Sequence, residues 1–304
     1  MFSRPNKDDP PYLIADFMEF QCLMSGQSVS TYDLRATLSM PDDENHNEGI
    51  ESSDDESIDI LDDAIGVCSS RAVVCNSRYP FNVERNSINI HPEASWYKEI
   101  YTFMLLATRL NMNTQKIQGG EDATKLFELL CTQVAKEYFG GHALTMAFGT
   151  SVEGGFKEKL KKMLDELHIS ASLTQPEGST GRQKDGSVDV VVWIPCADNK
   201  DSQLIAMGQC KTGTSWEGML RDLDPDSLFK CHTTKSPYSE VVRTFFLAES
   251  FGNHKWEERC RNAGILFDRT RIMEFLPPEL RDNLLERIKK WNTAAIENER
   301  KNIE

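Results

Sequence analysis

Asp189, Gln209 and Lys211 are the residues whose types and spacing carry chemistry. Asp189 lies in the apolar run 188–194 (VDVVVWI), where an unpaired carboxylate is costly to bury. Gln209, Cys210 and Lys211 close a second apolar run, 203–211 (QLIAMGQCK). Gln209 and Lys211 are two positions apart, so strand alternation puts both side chains on one face. An Asp and an amide on neighbouring strands offer the hard oxygen ligands that a magnesium ion takes, alongside its own waters. A lysine beside such an ion can contact a phosphate or help to deprotonate an attacking water. The chemistry expected of this set is metal-assisted hydrolysis of a phosphodiester bond.

These residues need two adjacent strands to hold them. The runs at 188–194 and 203–211 read as those strands, β-branched and continuously apolar as in a sheet covered on both sides. The polar turn 196–202 between them suits a hairpin. Upstream, Asp122 is the expected N-cap of a helix whose stripe is Leu126, Phe127, Leu130, Val134 and Tyr138, ended by Gly140-Gly141. A second amphipathic helix is expected over 155–167, with Phe156, Leu160, Met163 and Leu167 inward. The Gly-rich stretch 174–187 reads as a loop. Downstream the pattern predicts a strand at 240–248, a helix near 253–263 and a strand at 264–268. A terminal helix follows Pro277-Pro278, with Leu280, Leu284, Ile288 and Trp291 on one face.

Ahead of this half, Leu13, Phe17 and Phe20 mark a helix over 11–24. The acidic stretch 41–63 reads as a long surface loop or linker. Short strands are expected at 71–75 and 81–90, and a buried, nearly all-round apolar helix over 93–110. Charge follows the same division. Residues 1–120 hold 19 acidic against 9 basic residues, and the remainder 29 against 25, within a net charge of −14. An acidic chain does not bind nucleic acid by bulk charge, so a local basic surface, a metal ion or a partner must supply the attraction.

Other classes find little support. The eight cysteines form no C-x-x-C pair, which reads as reduced thiols in a cytoplasmic protein and argues against a zinc site built on Cys68 and Cys75. No apolar stretch is long enough to span a membrane, and the first residues do not read as a secretory signal. Walker A, G-x-S-x-G and H-E-x-x-H patterns are absent from the sequence.

Asp189 followed by Gln209-x-Lys211 on a hairpin resembles the PD-(D/E)XK nuclease superfamily, in the Q-x-K variant of Mrr-like restriction endonucleases. The resemblance covers about residues 121–275. It extends to Phe127-Glu128 in LFELLCTQVAKEYFGG, which is similar to the family's FE helix signature. Two departures stand out: Gln209 replaces the more usual Glu, and Val188 stands where the family has Pro. The resemblance implies an α/β fold, a restriction-endonuclease-like mixed sheet core in αβββαβ order flanked by helices. Residues 119–304 would form that nuclease domain, with its C-terminal helix at 278–300. Residues 1–118, with the acidic loop 41–63, would be an N-terminal α+β accessory region that binds a partner.

It further implies Mg²⁺- or Mn²⁺-dependent cleavage of DNA. Asp189, Gln209 and Glu128 would be metal ligands, and Lys211 the residue that polarises the phosphate or activates water. Such domains serve as effector subunits in bacterial restriction and antiphage systems, beside an ATPase or sensor subunit. A homo-oligomer is also open. Two rival readings remain: a catalytically weak or inactive scaffold or recognition subunit, favoured by Gln209, and an RNase toxin using the same site.

Several further residues are candidates for the nucleic-acid surface. Lys184, with Asp185, precedes the first strand. Thr212 and Thr214 follow Lys211 directly, with Trp216 beyond them as a packing anchor. Lys157 and Lys161, with Lys159 and Lys162, form the best local basic patch, although lysines on a helix are usually a solvated face. Arg269 and Arg271 are candidates of the same kind. Glu158 is the rival of Glu128, set opposite the buried stripe of its helix, and His232 reads as a surface or capped histidine.

Overall fold

The periodicities of the chain fold into a mixed five-stranded sheet with helices on both faces. The computed structural model describes residues 3–6, 8–38, 52–93, 95–174, 186–198, 200, 202–252 and 255–303. In chain order the first elements are α1 (Pro11–Ser25), β1 (Val29–Ser30), α2 (Thr31–Leu38), α3 (Ser52–Cys75), β2 (Phe81–Val83), β3 (Ser87–Ile90) and α4 (Trp96–Arg109). There follow β4 (Ile117–Gln118), β5 (Glu121–Asp122), α5 (Ala123–Phe139), β6 (Leu144–Ala147), α6 (Phe156–Glu166), β7 (Val190–Ile194) and β8 (Leu204–Lys211). The last elements are α7 (Pro225–His232), β9 (Val241–Leu247), α8 (Trp256–Ala263), β10 (Ile265–Phe267), α9 (Arg269–Glu274) and α10 (Leu284–Ile303).

The main sheet has the order β10-β9-β8-β7-β6. β6, β7 and β8 are antiparallel to one another, and β8, β9 and β10 run parallel. The parallel step from β8 to β9 requires a crossover, and α7 supplies it. Asp224 caps α7 by accepting from the Ser227 N–H at 3.0 Å, and Pro225 fills the first turn, where its missing N–H costs nothing. That signal is present in the sequence, where no helix was expected.

Two cores flank the sheet. On one face Leu126, Phe127, Leu130 and Val134 of α5 pack with Val190, Val192, Ala206 and Phe246. On the other, Leu160 and Met163 of α6 and Leu228 and Phe229 of α7 pack with Val191, Trp193, Ile205 and Met207. The first core continues into the N-terminal half without a break, through Ile14, Phe17, Met18, Phe103 and Leu106, and on to Trp291 of α10. The indole N–H of Trp291 donates to the Lys116 carbonyl at 2.9 Å, which ties α10 to the connection between α4 and α5.

A buried ion-pair network spans the same two halves. Asp16 of α1 pairs with Arg71 of α3 at 2.8 Å, Arg109 of α4 at 2.6 Å and Arg269 of α9 at 2.9 Å. Glu19 pairs with Arg71 at 2.8 Å and accepts from the Tyr79 and Tyr101 hydroxyls. Burial opposes the charge on Asp16, but the guanidiniums of Arg269, Arg109 and Arg71 outweigh it and hold the carboxyl far below its usual range. Arg269 is thus fully buried, which corrects its assignment to a nucleic-acid surface.

Three expectations about elements are corrected. The stretch 52–63, read as loop, belongs to α3, whose register places Leu61, Ala64 and Cys68 in the core; 41–51 lie outside the described residues. Residues 71–75, read as a strand, complete that helix. The strand at 144–147 was not expected, because its four residues are too few to show a period. Among the described residues no helix is long and apolar enough to cross a membrane.

Candidate functional site

The site gathers where β7 begins and β8 ends. Asp189 stands immediately ahead of β7, at a point where the alternation of faces breaks. Val188 packs with α6 and α7, whereas Val190, two residues on, packs with α5. The Asp189 N–H donates to the Gly208 carbonyl at 2.8 Å, and Val190 is the register partner of Gly208. Two residues thus share one partner, the pattern of a β-bulge, which re-aims a side chain. The Asp189 carboxylate turns back onto β8, where Oδ2 accepts the Cys210 N–H at 2.8 Å. The Asp189 carbonyl accepts from Phe148 and Gly149 at the end of β6, tying all three strands together here.

Glu128 arrives from α5, a helix capped by Asp122, whose side chain accepts the Thr124 N–H at 2.9 Å. Glu128 is 5% exposed and sits beside the buried Phe127, so the helix turns this acid inward. Its Oε1 accepts from the Thr150 hydroxyl at 2.9 Å and its Oε2 from the Ser151 N–H at 2.7 Å. A side chain built on Gly149 would begin 2.6 Å from Asp189 Oδ1 and 2.6 Å from Glu128 Oε2. The two carboxylates therefore face each other across a glycine, with oxygens no farther apart than twice that distance. Only glycine leaves them this space. Lys159 of α6 closes the loop from behind, its ammonium donating to the Gly149 carbonyl at 2.5 Å.

Gln209 and Lys211 approach from β8. Gln209 lies level with Phe245 and Lys211 with Leu247, so both leave the sheet on the face of those residues, while Cys210 packs on the α5 side. The expected sharing of one strand face by Gln209 and Lys211 is observed. Gln209 is 1% exposed, and its Oε1 is buried without a hydrogen-bond partner. The buried Ser151 hydroxyl, next to the Glu128 carboxylate, is a second such atom. Buried polar atoms of this kind are uncommon and call for a ligand, ion or water. Two thiols lie beneath the acids. Burial pushes both Cys131 and Cys210 up, and the nearby Asp189 and Glu128 carboxylates add to the effect.

The two facing carboxylates fit a hard cation, the remaining positions being left to water; the unpartnered oxygen of Gln209 lies buried on the Phe245 and Leu247 face of β8. Among the described residues no group of three or more His, Cys, Asp or Glu side chains could hold a metal ion, so the pair of carboxylates depends on other oxygen donors or on water.

Lys211 opens at the strand end into a cavity of about 910 Å³, whose wall includes Thr212 and Thr214. Lys157 and Lys161 are exposed on α6, and Lys159, one of the same run, is the lysine that reaches the site loop. Lys184 and Asp185 lie outside the described residues. Trp216 is 3% exposed and donates its indole N–H to Glu249 at 2.5 Å, the packing anchor expected. His232 is buried edge-on against Phe156, and Glu158 is spent on the Gly155 N–H at 3.0 Å in the first turn of α6. The residues that sequence reasoning missed are Gly149, Thr150 and Ser151. Their signal was the glycine and hydroxyls of FGTSVEGG after a short apolar run.

Compared with known proteins, the chain matches no protein-family model, no curated protein and no solved structure.

Proposed function

We propose that the chain is a metal-dependent nuclease that hydrolyses DNA phosphodiester bonds with a restriction-endonuclease-like domain. The observation that carries this reading is the pair of carboxylates, Glu128 and Asp189, held facing each other across Gly149. The strand order β6-β7-β8-β9, antiparallel twice and then parallel, with α5 and α7 on opposite faces, supports the αβββαβ order that the resemblance implies, with α6 inserted between β6 and β7.

Glu128 and Asp189, with Gln209, are the residues to hold Mg²⁺ or Mn²⁺. A divalent cation there supplies a Lewis acid and lowers the pKa of a bound water. The rest falls to the chain. Thr150 and Ser151 fix the Glu128 carboxylate, and the Cys210 N–H fixes that of Asp189. Such second contacts set the orientation of a ligand and the geometry of its site. Lys211 brings its ammonium toward the scissile phosphate, offsetting the charge that develops there or orienting the attacking water.

The acidic N-terminal half suits an effector subunit held by a partner, such as an ATPase or sensor in a bacterial defence system. The test is cleavage of duplex DNA, single-stranded DNA and RNA by the purified chain with magnesium or manganese, beside Asp189→Ala and Lys211→Ala. Slow, metal-dependent DNA cleavage lost in both variants is expected. Equal cleavage by the variants would overturn the assignment, and preference for RNA would move it to a ribonuclease. Vigorous unregulated plasmid cleavage by the chain alone would remove the partner from the reading. A second reading, an inactive scaffold, draws on the hydrogen bonds that Glu128 and Asp189 already accept within the protein. Full biological activity of Lys211→Ala would favour it.

A further inference from the structure

The cavity into which Lys211 opens is walled from three directions. The N-terminal segment gives Arg4 and Leu13, the stretch from α4 to α5 gives Arg109, Met112 and Lys116, and the loop after β8 gives Thr212, Thr214 and Ser215. Its lining cations are Arg4, Arg109, Lys116 and Lys211, against Asp9 as its acid. In a chain of net charge −14 these cations gather on one wall, where Asp16 and Glu249 pair with Arg109 and Asp122 pairs with Lys116. Arg109 is held from behind by Asp16 at 2.6 Å and by Glu249 at 3.1 Å, which fixes its guanidinium at the wall. Lys116 pairs with Asp122 at 3.2 Å and keeps 44% of its side chain exposed. Hydroxyls from Thr212 and Thr214 stand among these cations, and Leu13, Met112 and Met219 give apolar edges.

Cations and hydroxyls suit phosphate oxygens, and the apolar edges suit a sugar or a base. Size then selects the form of the ligand. A rounded space of 910 Å³ is about 12 Å across, no wider than the major groove of a duplex alone. It is near the upper end of pockets that enclose small ligands and takes about one or two nucleotides.

We propose that this cavity binds a phosphate-bearing stretch of a single nucleic-acid strand and leads it to Lys211. The proposal rests on the nuclease reading and deepens it. It makes Arg4, Asp9 and Leu13, with residues 108–116, part of the substrate site, although they lie outside the stretch that resembles a nuclease. Trp216 offers no stacking face, because it is buried and bonded to Glu249.

The test is binding without metal, so that cleavage does not intervene. Fluorescence anisotropy in EDTA compares a short single-stranded oligonucleotide, its duplex and a mononucleotide. The single strand is expected to bind about tenfold tighter than either. Lys116→Glu should weaken that binding about tenfold and flatten its salt dependence by about one phosphate contact. Thr214→Glu, on an exposed loop residue, should do the same without touching the Lys116–Asp122 pair. Lys230→Glu, the same charge change on an exposed position of α7, should leave binding unchanged. Equal loss in Lys230→Glu, or a duplex bound as tightly as the single strand, would overturn the proposal, as would tightest binding of the mononucleotide. If wild type cleaves while Lys116→Glu and Thr214→Glu bind normally, the cavity is wrong and the nuclease reading stands. If both variants lose binding and no metal supports cleavage, the cavity stands and the nuclease reading falls.

Discussion

Glu128 Oε2 and Asp189 Oδ1 lie equally far, 2.6 Å, from the point where a side chain on Gly149 would begin. One methyl group at residue 149 must therefore push the two acids apart. Both contacts are with the far ends of side chains, so Gly149→Ala should fold, at a stability cost of about 1–3 kcal/mol. A displacement of about 1 Å at the reacting groups can cost about a hundredfold in rate. Gly149→Ala should accordingly lose about that factor in metal-dependent cleavage while thermal melting still shows a cooperative fold. Retention of the wild-type rate would separate the acid pair from the chemistry.

Gln209 tests the other side of the same site. Its Oε1 is buried without a partner, and in the proposed site Glu128 and Asp189 supply the formal negative charge. Gln209→Glu adds a charge at an unchanged position and volume. Cation affinity rises with ligand charge, so the magnesium concentration at half-maximal activity should fall, by about tenfold. Without a bound cation the same change buries a further carboxylate, and the melting temperature in EDTA should drop. A metal titration with an unchanged midpoint would place Gln209 outside the coordination sphere.

Much of this arrangement was legible from sequence, for physical reasons that differ by residue. Val190, Val192 and Trp193 announce a strand because a sheet covered on both faces leaves no polar position to fill. Lys211 follows from Gln209 by strand alternation alone. Glu128 was harder, since its helical phase lies at the border of the buried stripe, and the hydrogen bonds from Thr150 and Ser151 decide its direction. Gly149 was out of reach, because its requirement comes from two side chains 21 residues before it and 40 after it in the sequence. Arg269 was misread for the same kind of reason. Its partner Asp16 is 253 residues away, and nothing local distinguishes an arginine that will be buried from one that will meet solvent. The acidic composition of 52–63 looked like a linker, while the helix there needs only Leu61, Ala64 and Cys68 to dock.

That Asp16 network carries a prediction on stability. Arg71 and Arg269 are 2% and 0% exposed, so removing their acid leaves buried guanidiniums uncompensated. Asp16→Ala should cost about 3–5 kcal/mol. The pH dependence has a definite sign. Folding lowers the Asp16 carboxyl below its unfolded value of about 3.9, so its contribution is fully present above about pH 5 and is lost as pH falls toward the folded value. Denaturant unfolding of wild type and Asp16→Ala should therefore differ most near neutral pH, with a gap that begins to narrow below about pH 4 and goes on narrowing as pH falls toward the folded value. A gap between the two proteins that widens in acid would show that Asp16 is not held as an anion by these arginines.

The cysteines report on the same core from the thiol side. Cys196 and Cys231 are exposed, whereas Cys22, Cys68, Cys75 and Cys131 are buried. Burial pushes Cys22 up to about 11 and Cys68 up to about 12, and it raises Cys131 and Cys210 as well. The thiolate is the reacting form, so these groups are slow twice over, by access and by protonation. A maleimide added to the native protein near neutral pH should label Cys196 and Cys231 first, with the four buried thiols reacting only as the chain unfolds. Mass spectrometry of peptides over a time course reads the order directly. Cys131 sits one helical turn after Glu128, and Cys210 lies between Gln209 and Lys211, so their protection reports on the floor of the site. Labelling of Cys131 as fast as Cys196 would mean that α5 does not stay packed on the sheet, and the facing of Glu128 and Asp189 would fall with it.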